Sequence, residues 1–239
     1  MARNFVTANA DKVVTALGNT GYVFGPGTLA VICRPTTMPG TSISWAILSL
    51  GASTAARVNL LVVTDAASRK LWGWSKDASG VATSAIANQI TAGNWYVIAV
   101  TKDTGTVAPR FHFYDIAANT WIHNNSPNTS ANSTAAVTQA NIGSTATATV
   151  GFDGDIAVGA CWDVVLTDVQ CEALFGPIQN WYAPAVPKAM WLLDQNDTAI
   201  NVNDITGGGA DQTSLSGTTV STASVPGWTP HEGAMIYVT

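Results

Sequence analysis

Acid/base chemistry at neutral pH draws on carboxylates, and this chain holds few in useful places. Its only glutamates are Glu172 and Glu232. Asp153 and Asp155 stand at i and i+2, so an extended backbone puts both on one face. A hydrolase of glycosidic bonds needs two carboxyl groups about 5–5.5 Å apart for retention and further apart for inversion. The competing reading is that the pair flanks a turn or bulge at Gly154. Nucleophilic chemistry has no motif: G-x-S-x-G is absent, and His112, His123 and His231 are scattered along the chain. His112 alternates with Phe111 and Phe113, which predicts a surface or interface position. Gly207-Gly208-Gly209 lacks the Lys-Ser/Thr that completes a phosphate loop, so it reads as a turn.

Binding through aromatic faces has a better handle. Trp72 and Trp74 share one face of a strand across Gly73. Paired indole faces stack on sugars through their apolar area while the ring N–H bonds a hydroxyl. Core packing is the alternative. The three cysteines, Cys33, Cys161 and Cys171, are odd in number and show no C-x-x-C spacing, which predicts free, buried thiols.

The elements that position these residues are mostly strands. Apolar runs bounded by turn signals fall at Thr28–Arg34, Ser44–Leu50, Arg57–Thr64, Arg69–Ser75, Asn94–Lys102 and Arg110–Ile116. Weaker strands are expected near Val81–Ile86, Trp121-Ile122, Asn141-Ile142 and Ala189–Leu193. Phe5–Leu17 reads as a first strand pair. In Asn94–Lys102 both faces are apolar, Trp95, Val97 and Ala99 on one and Tyr96, Ile98 and Val100 on the other. Such a strand needs cover beyond a simple two-sheet core. Between Gly151 and Gly176 the period changes. Phe152, Ile156, Val158 and Ala160 predict one apolar strand face, and Gly154 a bulge or a close backbone approach. Thr167 with Gln170 then forms a capping box, and Leu166 can staple onto Cys171. Gly176-Pro177 predicts the end of a short helix over 167–175, with Gly in the left-handed position.

The 239 residues suffice for one large all-β domain, and we expect a single unit over 1–239. The segment 218–239, ending Met235-Ile236-Tyr237-Val238, either completes the sandwich or forms a C-terminal docking arm. Charged residues are 10% of the chain, against about 25% in ordinary globular domains. A surface so poor in charge predicts burial against other subunits or a Thr/Ser-rich β surface. The net charge of -5 and the lack of any Lys/Arg cluster argue against nucleic acid and anionic membranes as partners. Nothing in the first residues resembles an export signal, and no apolar run is long enough to span a bilayer.

The string Phe152-Asp153-Gly154-Asp155-Ile156, then Trp162, Leu166-Thr167-Asp168 and Leu174-Phe175-Gly176, resembles the closing part of laminin-G-like (LamG, concanavalin A-like) jelly rolls. The Trp-led strand at Asn94–Lys102 and the Phe/Tyr strand after it are similar to that pattern, as are Ile142-Gly143 and the turn at Asp204–Gly207. The resemblance implies an all-β fold: a two-sheet antiparallel jelly-roll sandwich with one short helix near 167–175. Some relatives hold calcium, for which Asp153, Asp155 and Asp204 are the candidates here. The chain further resembles stand-alone LamG-like virion proteins of tailed bacteriophages. That implies a non-enzymatic virion protein, a capsid decoration or tail accessory, located in the virion. Its partners would be other virion proteins, further copies of itself, and a host glycan. The alternatives are a carbohydrate-binding adhesin of the tail and, disfavoured by the missing acid pair, a glycoside hydrolase.

Overall fold

The computed structural model describes residues 2–6, 12–17, 26–40, 44–51, 57–64, 69–75, 81–83, 90–127, 129, 137–144, 151–193, 205–206, 212–216, 218–221 and 224–228. In the strands at 57–64, 69–75, 81–83, 212–216 and 219–221 it describes the backbone. In chain order the strands are β1 (Ala2–Phe5), β2 (Lys12–Ala16), β3 (Gly27–Pro35), β4 (Ser44–Gly51), β5 (Arg57–Thr64), β6 (Arg69–Ser75), β7 (Val81–Thr83) and β8 (Tyr96–Lys102). They continue as β9 (Arg110–Asp115), β10 (Thr120–Asn125), β11 (Gln139–Ile142), β12 (Gly154–Trp162), β13 (Ala189–Leu192), β14 (Gln212–Ser216) and β15 (Thr219–Ser221). Helix α1 (Asp168–Ala173) lies between β12 and β13, and a 3₁₀ turn follows it at Ile178–Trp181.

All pairings described are antiparallel. One sheet runs β10-β9-β8-β3-β12-β1-β15, with β13 sharing the β12 edge beside β1; the other runs β14-β2-β11-β4-β5-β6-β7. The protein is therefore the expected all-β, two-sheet jelly-roll sandwich. β1 and β2, read from sequence as a pair, lie in opposite sheets. β12, read as a closing strand, lies inside its sheet between β3 and the β1/β13 edge.

Two apolar layers form. The inner one, between the sheets, includes Leu29, Val31, Ile47, Leu50, Tyr96, Ile98, Phe111 and Phe113. The outer one lies on the far face of the β8-containing sheet and includes Trp95, Val97, Ala99, Trp162, Leu174, Trp181, Val225 and Trp228. The two faces of β8 therefore divide as the sequence predicts. The cover comes from this chain itself, from α1, the 3₁₀ turn and residues 225–228. A strand apolar on both faces is thus no sign of a partner here. The segment after 218 contributes β15 and this outer cover. Residues 229–239, with Met235–Val238, lie outside the described residues.

A bulge in β12 changes the expected face pattern. Its register against β3 shifts between Ile156 and Val158. Phe152 and Ile156 consequently join the inner layer, whereas Val158 and Ala160 join the outer one. One extra residue reverses the period-two alternation for everything after it. Gly154 is not the bulge but the close approach. A β-carbon there would collide with the Arg34 carbonyl oxygen and sit 2.8 Å from Pro35 Cα.

Candidate functional site

The outer face of the β9–β10 hairpin carries a three-rung ladder, Arg110 opposite Asn125, His112 opposite His123, and Tyr114 opposite Trp121. Each rung makes a side-chain contact. Arg110 Nη1 donates to Asn125 Oδ1 at 3.0 Å, the two histidine Nδ1 atoms lie 2.9 Å apart, and Tyr114 stacks on Trp121 at 4.7 Å between centroids. Helix α1 crosses this ladder with Asp168 and Glu172, i and i+4 on one face, and Phe175 follows just past its C-cap. Asp168 accepts from Arg110 Nε at 2.7 Å and Nη2 at 2.5 Å. Glu172 Oε1 meets His123 Nε2 at 2.9 Å, and the Phe175 ring lies 4.8 Å from Tyr114.

So short a helix needs its ends satisfied. The capping box forms as expected: Thr167 N donates to Gln170 Oε1 at 2.8 Å, and Gln170 N to Thr167 Oγ1 at 3.3 Å. Leu166 and Cys171 share the outer apolar layer. The C-terminal end departs from expectation. The helix stops at Ala173, its C-cap is Leu174 with right-handed φ -64°, and Gly176 is not left-handed. Side chains from the next turn satisfy the last carbonyls: Asn180 Nδ2 donates to Ala173 O at 2.9 Å, Trp181 Nε1 to Leu174 O at 3.0 Å. Gly176 is small because a β-carbon would lie 2.6 Å from Asn180 Nδ2.

Burial sets the electrostatics. The His112 side chain is fully buried (0%), contrary to the surface position expected from sequence. Burial first, then the neighbouring His123, lowers its pKa to about 4. Hydrogen bonds from Arg110 hold Asp168 below the usual carboxylate range, and the same pairing raises Arg110. Burial pushes the Cys171 thiol up to about 12. At neutral pH the imidazoles form a chain. His112 Nε2 lies 3.1 Å from the buried Thr101 hydroxyl, and His123 Nε2 ends on Glu172. His112, His123 and Asp168 bring three ligand-type atoms within 4.8 Å of one another.

Sequence reading treated the histidines as scattered and missed this cluster. The signal was present: two strands around the 116–119 turn place residues 112 and 123 opposite each other. Asn119, with φ 52°, turns the hairpin and accepts from Tyr114 Oη at 2.7 Å.

The other candidates stand elsewhere. Asp155 is buried (1%) and accepts from Arg34 Nε at 2.8 Å and Nη2 at 2.5 Å and from Asn4 Nδ2 at 3.3 Å. Asp153 instead accepts from Thr37 Oγ1 at 2.5 Å. The structure thus gives the two acids separate partners, and Asp155 ties β12 to β3 and β1. Asp204 and His231 lie outside the described residues. Cys33, Cys161 and Cys171 are free and buried, as expected. Trp72 and Trp74 lie on β6, where Trp72 pairs with Leu61 of β5; their side chains lie outside the described part.

Fold and geometry together define a jelly-roll β-sandwich with an imidazole–carboxylate cluster under its one α-helix among the described residues. Its structural likenesses fit that class. The chain is similar to tailspike protein 2 of an Escherichia coli O157:H7 bacteriophage, with TM-score 0.53 and 12% identity, over 80% of this chain and 26% of that one. It is also similar to a Bacteroides ovatus protein provisionally assigned to carbohydrate binding, with TM-score 0.59 and 13% identity, over 93% of this chain and 60% of that one. The chain thus spans about a quarter of the first protein and three fifths of the second. At these identities the likeness is one of fold. No family model matches the chain, and no curated protein matches it.

Proposed function

We propose that the chain is a non-enzymatic component of a bacteriophage particle that presents a glycan-recognising face. The observation that carries the reading is the two-sheet jelly-roll sandwich. Trp72 and Trp74, two residues apart on its strand β6, supply an apolar platform for a sugar ring. The sandwich is shared with a phage tailspike and with a protein assigned to carbohydrate binding, and the LamG-like motifs point the same way. The acids support a non-catalytic role. Asp155 is held by Arg34, Asp168 by Arg110 and Glu172 by His123. The partners are other virion proteins, further copies of the chain, and a host cell-surface polysaccharide.

Retention of the protein on a host cell-wall polysaccharide column tests the glycan face. Trp72→Ala should abolish retention and leave the melting temperature unchanged. A large loss of stability with retention intact would place Trp72 in the core and end this reading. Mass spectrometry and electron microscopy of purified particles test the location, and absence of the chain from any particle would refute it. Hundreds of copies per particle indicate a shell decoration, and a handful an adhesin of the tail.

A further inference from the structure

We propose that His112 Nδ1, His123 Nδ1 and Asp168 Oδ1 form a binding site for a divalent transition-metal ion of the zinc type, which clamps α1 onto the β9–β10 hairpin. The site is independent of the glycan reading. The donor atoms come from three elements, two adjacent strands and the first turn of the helix over them. His112 Nδ1 lies 2.9 Å from His123 Nδ1 and 3.6 Å from Asp168 Oδ1. Ligand bonds of about 2.0–2.2 Å around a tetrahedral zinc put neighbouring donors roughly 3.3 Å apart. The two short edges bracket that value. An ion therefore fits after adjustments of a few tenths of an ångström there and a closure of Asp168 toward His123 from within 4.8 Å.

The outer atoms of both rings point to the same conclusion. A metal-bound imidazole commonly donates its second N–H to an oxygen that fixes its tautomer. His112 Nε2 has Thr101 Oγ1 at 3.1 Å, and His123 Nε2 has the Glu172 carboxylate at 2.9 Å. With protons on both Nε2 atoms each ring meets an acceptor, and both Nδ1 lone pairs face the same point. Without an ion, that tautomer leaves two lone pairs opposed, and one ring must switch. Asp168 is 40% exposed, which leaves a path for entry and a position for water. Arg110 shares the Asp168 carboxylate and lowers its basicity, so affinity falls short of a closed structural zinc site. Two imidazoles and one carboxylate select zinc, copper or nickel over calcium, whose ligands are oxygens.

Isothermal titration of the chelator-stripped full chain with zinc chloride tests the site. The expected result is one ion per chain, a higher melting temperature with zinc and no change with calcium. Asp168→Asn and His123→Gln should each abolish this binding, and Glu172→Gln, which removes an orienting carboxylate, should weaken it about 10–100-fold. Circular dichroism reports whether each variant is folded. Nitrogen-15 spectra of the wild-type histidines give a reading that depends on no variant: zinc should move two Nδ1 resonances and leave both Nε2 atoms protonated. No binding, binding unchanged in the folded variants, or spectra showing coordination through Nε2 would each overturn the proposal.

Discussion

His112 and His123 face each other through their Nδ1 atoms at 2.9 Å, one fully buried and the other capped by Glu172. Two N–H groups cannot point at each other at that separation, so at most one of the two Nδ1 atoms bears a proton in the metal-free fold.

The consequence is a stability that depends on pH. His112 titrates at about 4 in the fold and 6.5 when unfolded. As pH falls below 6.5 the unfolded chain takes up the proton first. Stability is therefore complete above about pH 6.5 and is lost progressively down to about pH 4, in total on the order of 3 kcal/mol. Asp168, Arg110 and Glu172 all face the pair. Asp168, depressed by Arg110, loses its contribution at still lower pH, in the same direction. Denaturant unfolding of metal-free protein between pH 7 and pH 4 measures the slope, and His112→Asn should flatten it.

Asp155 is buried beneath Arg34, whose guanidinium also lies 5.5 Å from the Trp95 ring. Arg34→Met leaves that carboxylate with no cation, only the amide of Asn4. Removing one partner of a buried pair costs about 3–5 kcal/mol, and Arg34, 32% exposed, puts the loss near the lower end. The double variant Arg34→Met/Asp155→Leu should recover much of it. Urea midpoints at pH 7 distinguish the two.

Gly154 and Gly93 both have positive φ, 154° and 88°, but different surroundings. Nothing lies within 4 Å of a β-carbon at Gly93, whereas one at Gly154 meets backbone of β3. Gly93→Ala should cost only conformational strain, about 1–3 kcal/mol. Gly154→Ala should cost more, because β3 and β12 must separate. Thermal melts of the two variants give the comparison.

All three thiols are buried, and burial pushes Cys33 well above the ordinary thiol range and Cys171 up to about 12. A disulfide reagent at pH 8 should therefore leave the folded protein unmodified and label three cysteines after unfolding. Rapid labelling of the native protein would show that the outer layer opens readily.

Local patterns carried the strands, the capping box and the two faces of β8, because alternation and capping are encoded within a few residues. Three features escaped them for one reason: each depends on which segment lies alongside. The bulge after Ile156 is invisible without β3 beside it. Gly176 is small on account of Asn180 rather than its own backbone. His112 reads as a surface residue until α1 lies across it.

Period, spacing and composition sufficed for an all-β sandwich, its short capped helix and its free thiols. That the outer face of one sheet is covered by the chain's own helix and C-terminal turn emerges from long-range packing. It alone brought together His112, His123, Asp168 and Glu172 and set Asp155 apart as a buried anchor. Antiparallel pairing joins residues eleven positions apart and helix docking joins residues nearly fifty apart, and contacts of that range are set by packing rather than by local pattern.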